Sequence, residues 1–111
     1  MLLSVRDEGT VTVVTVDGDL VIGEPEAAFK KTIARLLERG QVNLLIDLTA
    51  VRFLDSSGLG ALVRAMTTSQ NEGGQTKLFG AGAQVRKLLE MTKLDSVFET
   101  YDDLQKAVMS F

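Results

Sequence analysis

The chain contains no cysteine and no histidine. Without cysteine, disulfide frameworks, thiolate nucleophiles and thiolate metal sites all fall away. Without histidine, Ser–His–Asp catalysis and the commonest transition-metal ligand go too. Few ordinary enzyme mechanisms survive both losses. Positive charge is also short: 12 Lys and Arg against 15 Asp and Glu leave a net charge of −3. That balance argues against nucleic acid, whose binding needs a basic footprint, and against adsorption to anionic membranes. No apolar run approaches the ~20 residues that cross a bilayer. Met1-Leu2-Leu3-Ser4 is too short for the apolar part of a signal peptide and leads into Arg6, Asp7 and Glu8. A cytoplasmic protein without membrane insertion is the expectation.

What is present suffices for a core. At 111 residues the chain reads as one domain, 1–111, near the modal domain size. A globular chain of this length buries roughly 60–70% of its unfolded surface. A hydrophobic fraction of 45% can fill that interior with no metal or cofactor to help.

Residues 2–16 predict two strands joined as a hairpin about Glu8-Gly9, the second being the β-branched run Val11 to Val16. Asp17-Gly18-Asp19 ends it with turn chemistry, and Leu20-Val21-Ile22-Gly23 is a short apolar link along the domain edge. Glu24-Pro25-Glu26 opens a helix, since proline suits a first turn and acids complement the helix dipole. Phe29, Ile33, Leu36 and Leu37 share its inner face, Lys30, Lys31, Arg35 and Glu38 its solvated one, and Gly40 closes it.

Val42 to Leu48 is the central strand, apolar on both faces at its middle. A helix follows from near Ser57 to about Asn71, with Leu59, Leu62, Val63 and Met66 as its apolar stripe. Thr76 to Phe79 is the next strand, and Gly80-Ala81-Gly82 turns into a helix with Val85, Leu88 and Leu89 inward. Thr92 to Asp95 is a turn, Val97-Phe98 a short strand, and Leu104, Ala107 and Val108 mark a final helix after Asp102-Asp103. The order β-β-α-β-α-β-α-β-α predicts an α/β fold. Its mixed central sheet has about five strands, an N-terminal hairpin and then right-handed parallel crossovers, with about four helices.

Most motif-like stretches have structural explanations. Gly80-Ala81-Gly82 lacks the third glycine of a dinucleotide fingerprint and comes too late in the chain. Gly73-Gly74-Gln75-Thr76-Lys77 has no Walker spacing. The pairs Asp17, Asp19 and Asp102, Asp103 fit turn and cap roles better than a cation cage. Asp55-Ser56-Ser57-Gly58 differs from these. Asp and Ser are preferred helix caps, yet a cap needs one such side chain and three crowd this helix start. A phosphoserine here would set a charge of roughly −1.5 to −2 against the positive helix end, changing the presented surface without unfolding the domain.

Phe53-Leu54-Asp55-Ser56-Ser57-Gly58-Leu59-Gly60, following the strand Leu44 to Leu48, resembles the phosphorylation motif of STAS domains, the bacterial anti-sigma factor antagonists. Gly18-Asp19-Leu20, Gly73-Gly74 and Val85 to Asp95 resemble other segments of that family. The resemblance implies that Ser56, or alternatively Ser57, is phosphorylated from ATP by an anti-sigma factor that is itself a serine kinase. The unphosphorylated antagonist would bind that kinase and free the sigma factor, and a PP2C-type phosphatase would reset it. Asp19, Asp55, Ser56, Ser57, Gly58 and Leu59 would form the partner surface, with Asp55 positioning and Gly58 permitting close approach of the kinase. Glu24-Pro25-Glu26 departs from the family's usual proline-free helix start.

Two other readings remain. One is a non-switching STAS scaffold subunit, as in lipid-transport ABC complexes or stress-signalling assemblies. The other is an enzyme with Ser56 or Ser57 as nucleophile, for which Lys77 or Lys93 would have to serve as base.

Overall fold

In the computed structural model, which describes residues 1–111, the strands lie in the sheet in the order in which they occur in the chain. They are β1 (Leu2–Glu8), β2 (Val11–Asp17), β3 (Asn43–Ala50), β4 (Gln75–Phe79) and β5 (Thr100–Tyr101). β1 and β2 pair antiparallel across Glu8↔Val11, and every later pairing is parallel. The crossovers are α1 (Glu24–Glu38), α2 (Ser56–Asn71) and α3 (Ala83–Met91), and α4 (Leu104–Met109) follows β5. The expected α/β architecture with a hairpin and parallel crossovers is the one found.

The period-two rule sorts the strand residues onto two unequal faces. Val14, Val16, Leu44, Ile46, Leu48 and Leu78 point into the main core. There they meet Phe29, Ile33 and Leu36 of α1, Leu59, Leu62 and Met66 of α2, and Val85 and Leu89 of α3. Val11, Val13 and Leu45 point the other way, into a smaller cluster closed by Ala107 of α4 and flanked by Phe79, Tyr101 and Phe111. β3 is buried on both faces because helices lie on both.

Lys77 of β4 belongs to this second face and is only 3% exposed. Its ammonium donates to the Ser110 carbonyl at 2.7 Å and the Ser110 hydroxyl at 3.1 Å, and sits 3.4 Å from a Glu99 carboxylate oxygen. It also lies over the Phe111 ring, 4.9 Å from the centroid. A buried ammonium is tolerated when its donors are met, and here they tie the last turn of the chain to the sheet.

One strand differs from expectation. Val97-Phe98 is not the fifth strand; that role falls to Thr100–Tyr101, which pair with Leu78 and Phe79. The amides of Val97 and Phe98 both donate to the Leu94 carbonyl, so they are consumed in the turn that leaves α3. Phe98 is apolar because it plugs the core from that turn, not because it is in the sheet. The acidic pair near the end resolves into a cap and an ion pair: Asp103 accepts from the Lys106 amide at 3.0 Å, and Asp102 pairs with Arg86.

Gly74 makes the entry to β4. The bare Cα of Gly74 lies against the Val42 backbone, and a Cβ there would fall 2.0 Å from the Val42 carbonyl oxygen. Overpacking of that kind costs about 1–3 kcal/mol, because backbone must move. Gly74→Ala is therefore expected to lower the urea midpoint by a corresponding amount without changing the unfolding slope. An unchanged midpoint would show that the entries to β4 and β3 separate freely.

Candidate functional site

The C-terminal end of β3 carries the polar stretch singled out in the sequence, and a second segment is sewn beside it. The chain leaving β2 runs parallel to the chain leaving β3. The Gly18 amide donates to the Ala50 carbonyl at 3.3 Å, the Leu20 amide to the Phe53 carbonyl at 3.1 Å, and the Asp55 amide to the Leu20 carbonyl at 3.4 Å. Leu20 and Leu54 form a parallel bridge with both side chains buried. This short ladder extends the β2–β3 pairing past the sheet into the loops.

Asp55 completes the seam. Its backbone is extended, as an N-cap requires, and one carboxylate oxygen accepts the Gly58 amide at 2.8 Å, satisfying an otherwise orphaned donor of α2. The other accepts the Ile22 amide at 2.9 Å, across 33 residues of sequence. The cap of α2 is thus also a clamp on the entrance to α1. These amide donors, Ile22 first and then Gly58, hold the Asp55 carboxyl below the usual carboxylate range.

Gly58 has a different reason from the one expected. It is buried, and a Cβ there would fall 2.1 Å from the Leu20 carbonyl oxygen. The close approach it permits is made by Leu20 of the same chain. Leu59 likewise turns into the core rather than onto the surface. Ser56 is exposed at the first position of α2, and Ser57 beside it is half-buried. Asp19 is exposed on the clipped segment. The fold therefore brings Asp19, Asp55, Ser56 and Ser57 to one edge and withdraws Gly58 and Leu59 beneath it.

Two residues at this edge escaped the sequence reading. Ile22 is 69% exposed and Phe53 is 53% exposed, large apolar side chains left in solvent on either strand of the seam. Their backbones are fixed, because the Ile22 amide is held by Asp55 and the Phe53 carbonyl by Leu20. The signal available was an apolar residue in a segment with no helical or strand periodicity. The bases that serine nucleophilicity would need lie elsewhere: Lys77 is engaged by Ser110 and Glu99, and Lys93 occupies a left-handed turn with φ 61° after α3.

The lowered Asp55 pKa gives a signed prediction. A carboxyl held below its unfolded value of about 3.9 stabilises the fold above that pH, and the contribution is lost as pH falls through the folded value. Asp55→Asn is therefore expected to melt below the unsubstituted chain at pH 7. The gap should close as the pH falls below the ordinary carboxylate range. Thermal melts in a pH series check this, and a gap independent of pH would exclude the ionised carboxylate as its source.

Comparison with known proteins accords with this geometry. The model of the STAS domain family matches residues 3–107. An anti-sigma-B factor antagonist from Listeria monocytogenes is 35% identical over 83 residues, covering 71% of this chain and 73% of the relative. A crystal structure of an anti-sigma factor antagonist from Mycobacterium paratuberculosis superposes with a TM-score of 0.83 at 31% identity, covering 98% of this chain and 92% of that one. A Thermotoga maritima structure, a candidate antagonist of the same kind, reaches a TM-score of 0.91 at 25% identity, over 97% and 92% of the two chains. With a sheet, a seam and a capped helix start of this form, and a family match over nearly its whole length, the chain belongs to the STAS domain family, among relatives named anti-sigma factor antagonists.

Proposed function

We propose that this chain is an anti-sigma factor antagonist whose binding surface is switched by phosphorylation of Ser56. The observation that carries the proposal is the exposed Ser56 hydroxyl on the first turn of α2, next to a cap that Asp55 already fills. Because the cap is filled, Ser56 contributes nothing to closing the helix and is free to be modified. A kinase would transfer the γ-phosphoryl group of ATP to the Ser56 oxygen, releasing ADP and the hydroxyl proton. The new dianion would stand at the positive end of α2, where it is tolerated without unfolding.

The same charge accounts for the switch. Ile22 and Phe53 offer the apolar anchors from which protein interfaces draw most of their energy. An anti-sigma factor would bury them in the unphosphorylated state. A phosphate beside them must lose its water when the partner docks, and the nearby acids Asp19 and Asp55 add to the unfavourable field. The partner is an anti-sigma factor with serine kinase activity, and a PP2C-type phosphatase resets Ser56. The chain itself supplies an acceptor and a surface rather than a catalytic group. Ser57, half-buried, is the weaker acceptor.

Incubation with an anti-sigma factor kinase and ATP, read by intact mass, is expected to add one phosphate, and Ser56→Ala is expected to remove it. A fully modified Ser56→Ala chain would move the assignment to another residue. Ile22→Ala and Phe53→Ala should each weaken binding of the unphosphorylated protein about tenfold or more, about 1.4 kcal/mol, with little change in melting temperature. Calorimetric titration separates these outcomes, and unchanged affinity in both variants would place the interface elsewhere.

A further inference from the structure

A groove runs between α1 and α2. Leu37 and Ala34 of α1 face Ala61 and Ala65 of α2 across it, bordering an open space of about 160 Å³. An engineered apolar cavity of about 150 Å³ takes up benzene, so this room is enough for a six- to eight-carbon body. From Lys30 to Leu37 the groove follows seven residue-to-residue steps of helix, a length of about 10 Å.

The groove carries its charged side chains at one end only. Helical side chains lean toward the N-terminus, so Lys30 and Arg64 both reach toward the start of α1. Arg64 is placed there directly, by an ion pair with Glu26 at 3.3 Å. That contact uses one of the five guanidinium donors and leaves others for a ligand. Lys30 takes part in none of the chain's ion pairs. The far end, toward Leu37 and Ala65, has the Thr68 hydroxyl at its rim and carries no charged side chain among the residues that line it. Two cations against the single Glu26 carboxylate leave the mouth with one net positive charge, which matches an amphiphile with one anionic head and a straight tail. A neutral ligand would leave the cations unused, and a compact anion would leave the trough unfilled.

We propose that this groove binds a medium-chain aliphatic carboxylate, its head between Lys30 and Arg64 and its tail along Ala34, Leu37 and Ala65. The site is independent of Ser56 and of the proposed switch. The test is titration of the isotope-labelled protein with octanoate, followed by amide chemical shifts, with 1-octanol as a neutral ligand of equal length. Saturable shifts confined to the amides of Ala34, Leu37, Ala61 and Ala65 are expected, with octanoate at least tenfold tighter than octanol. Lys30→Glu should bring octanoate to the level of octanol, and Ala34→Phe should block both by filling the trough. Both positions are exposed, and the amide spectrum itself reports that the variants are folded. Equal affinity for the two ligands, shifts elsewhere, no shifts at all, or binding that survives Ala34→Phe would each overturn the proposal.

Discussion

One carboxylate joins the two segments that form the candidate site. Asp55 holds an amide of the first turn of α2 and the amide of Ile22 ahead of α1, two helices that the Arg64–Glu26 ion pair also links. The Leu20–Phe53 and Asp55–Leu20 hydrogen bonds bring the loops into range, but the side chain closes the gap. Gly58 permits this closure, because any side chain there would collide with the Leu20 carbonyl. The helix start on which Ser56 sits is therefore fixed from both sides. A hydroxyl on so rigid a platform keeps a single geometry, the condition under which the proposed docking would lose little entropy.

The sheet that bears this platform is covered unequally. Three helices bury one face and a single six-residue helix guards the other. The smaller cluster compensates with a buried ion, since Lys77 holds the chain's final turn by the Ser110 carbonyl and the Phe111 ring. Chemistry that could be mistaken for catalysis is thus spent on architecture, at the opposite side of the sheet from the main helical layer.

Much of this was legible because its causes are local. Val11 to Val16 and Leu44 to Leu48 announce buried strands by composition, and Asp55 announces a cap by its place before an apolar stripe. The second hydrogen bond of Asp55 was not legible, because its donor lies 33 residues away and backbone amides look alike in a sequence. For the same reason Gly58 read as an opening toward a partner, when its neighbour is Leu20. Thr100–Tyr101 is too short to show a period, whereas Val97-Phe98 shows apolar character acquired from the core rather than the sheet. Ile22 and Phe53 were passed over because exposure is a property of the fold, and an apolar residue in a loop carries no sign of which way it faces.

The order of the strands has a consequence for how the molecule is made. Each new strand joins the edge left by its predecessor, so no segment waits for a later one to be inserted beside it. During synthesis the β1–β2 hairpin can form first from contacts close in the chain, and each crossover then adds one helix and one strand to an existing surface. The residues that fix the Ser56 platform, Leu20, Ile22, Asp55 and Gly58, have all been made by the time α2 is synthesised. β4, α3 and β5 then widen the sheet and its cover, and Ser110 and Phe111, drawn in by Lys77, close over the smaller apolar cluster.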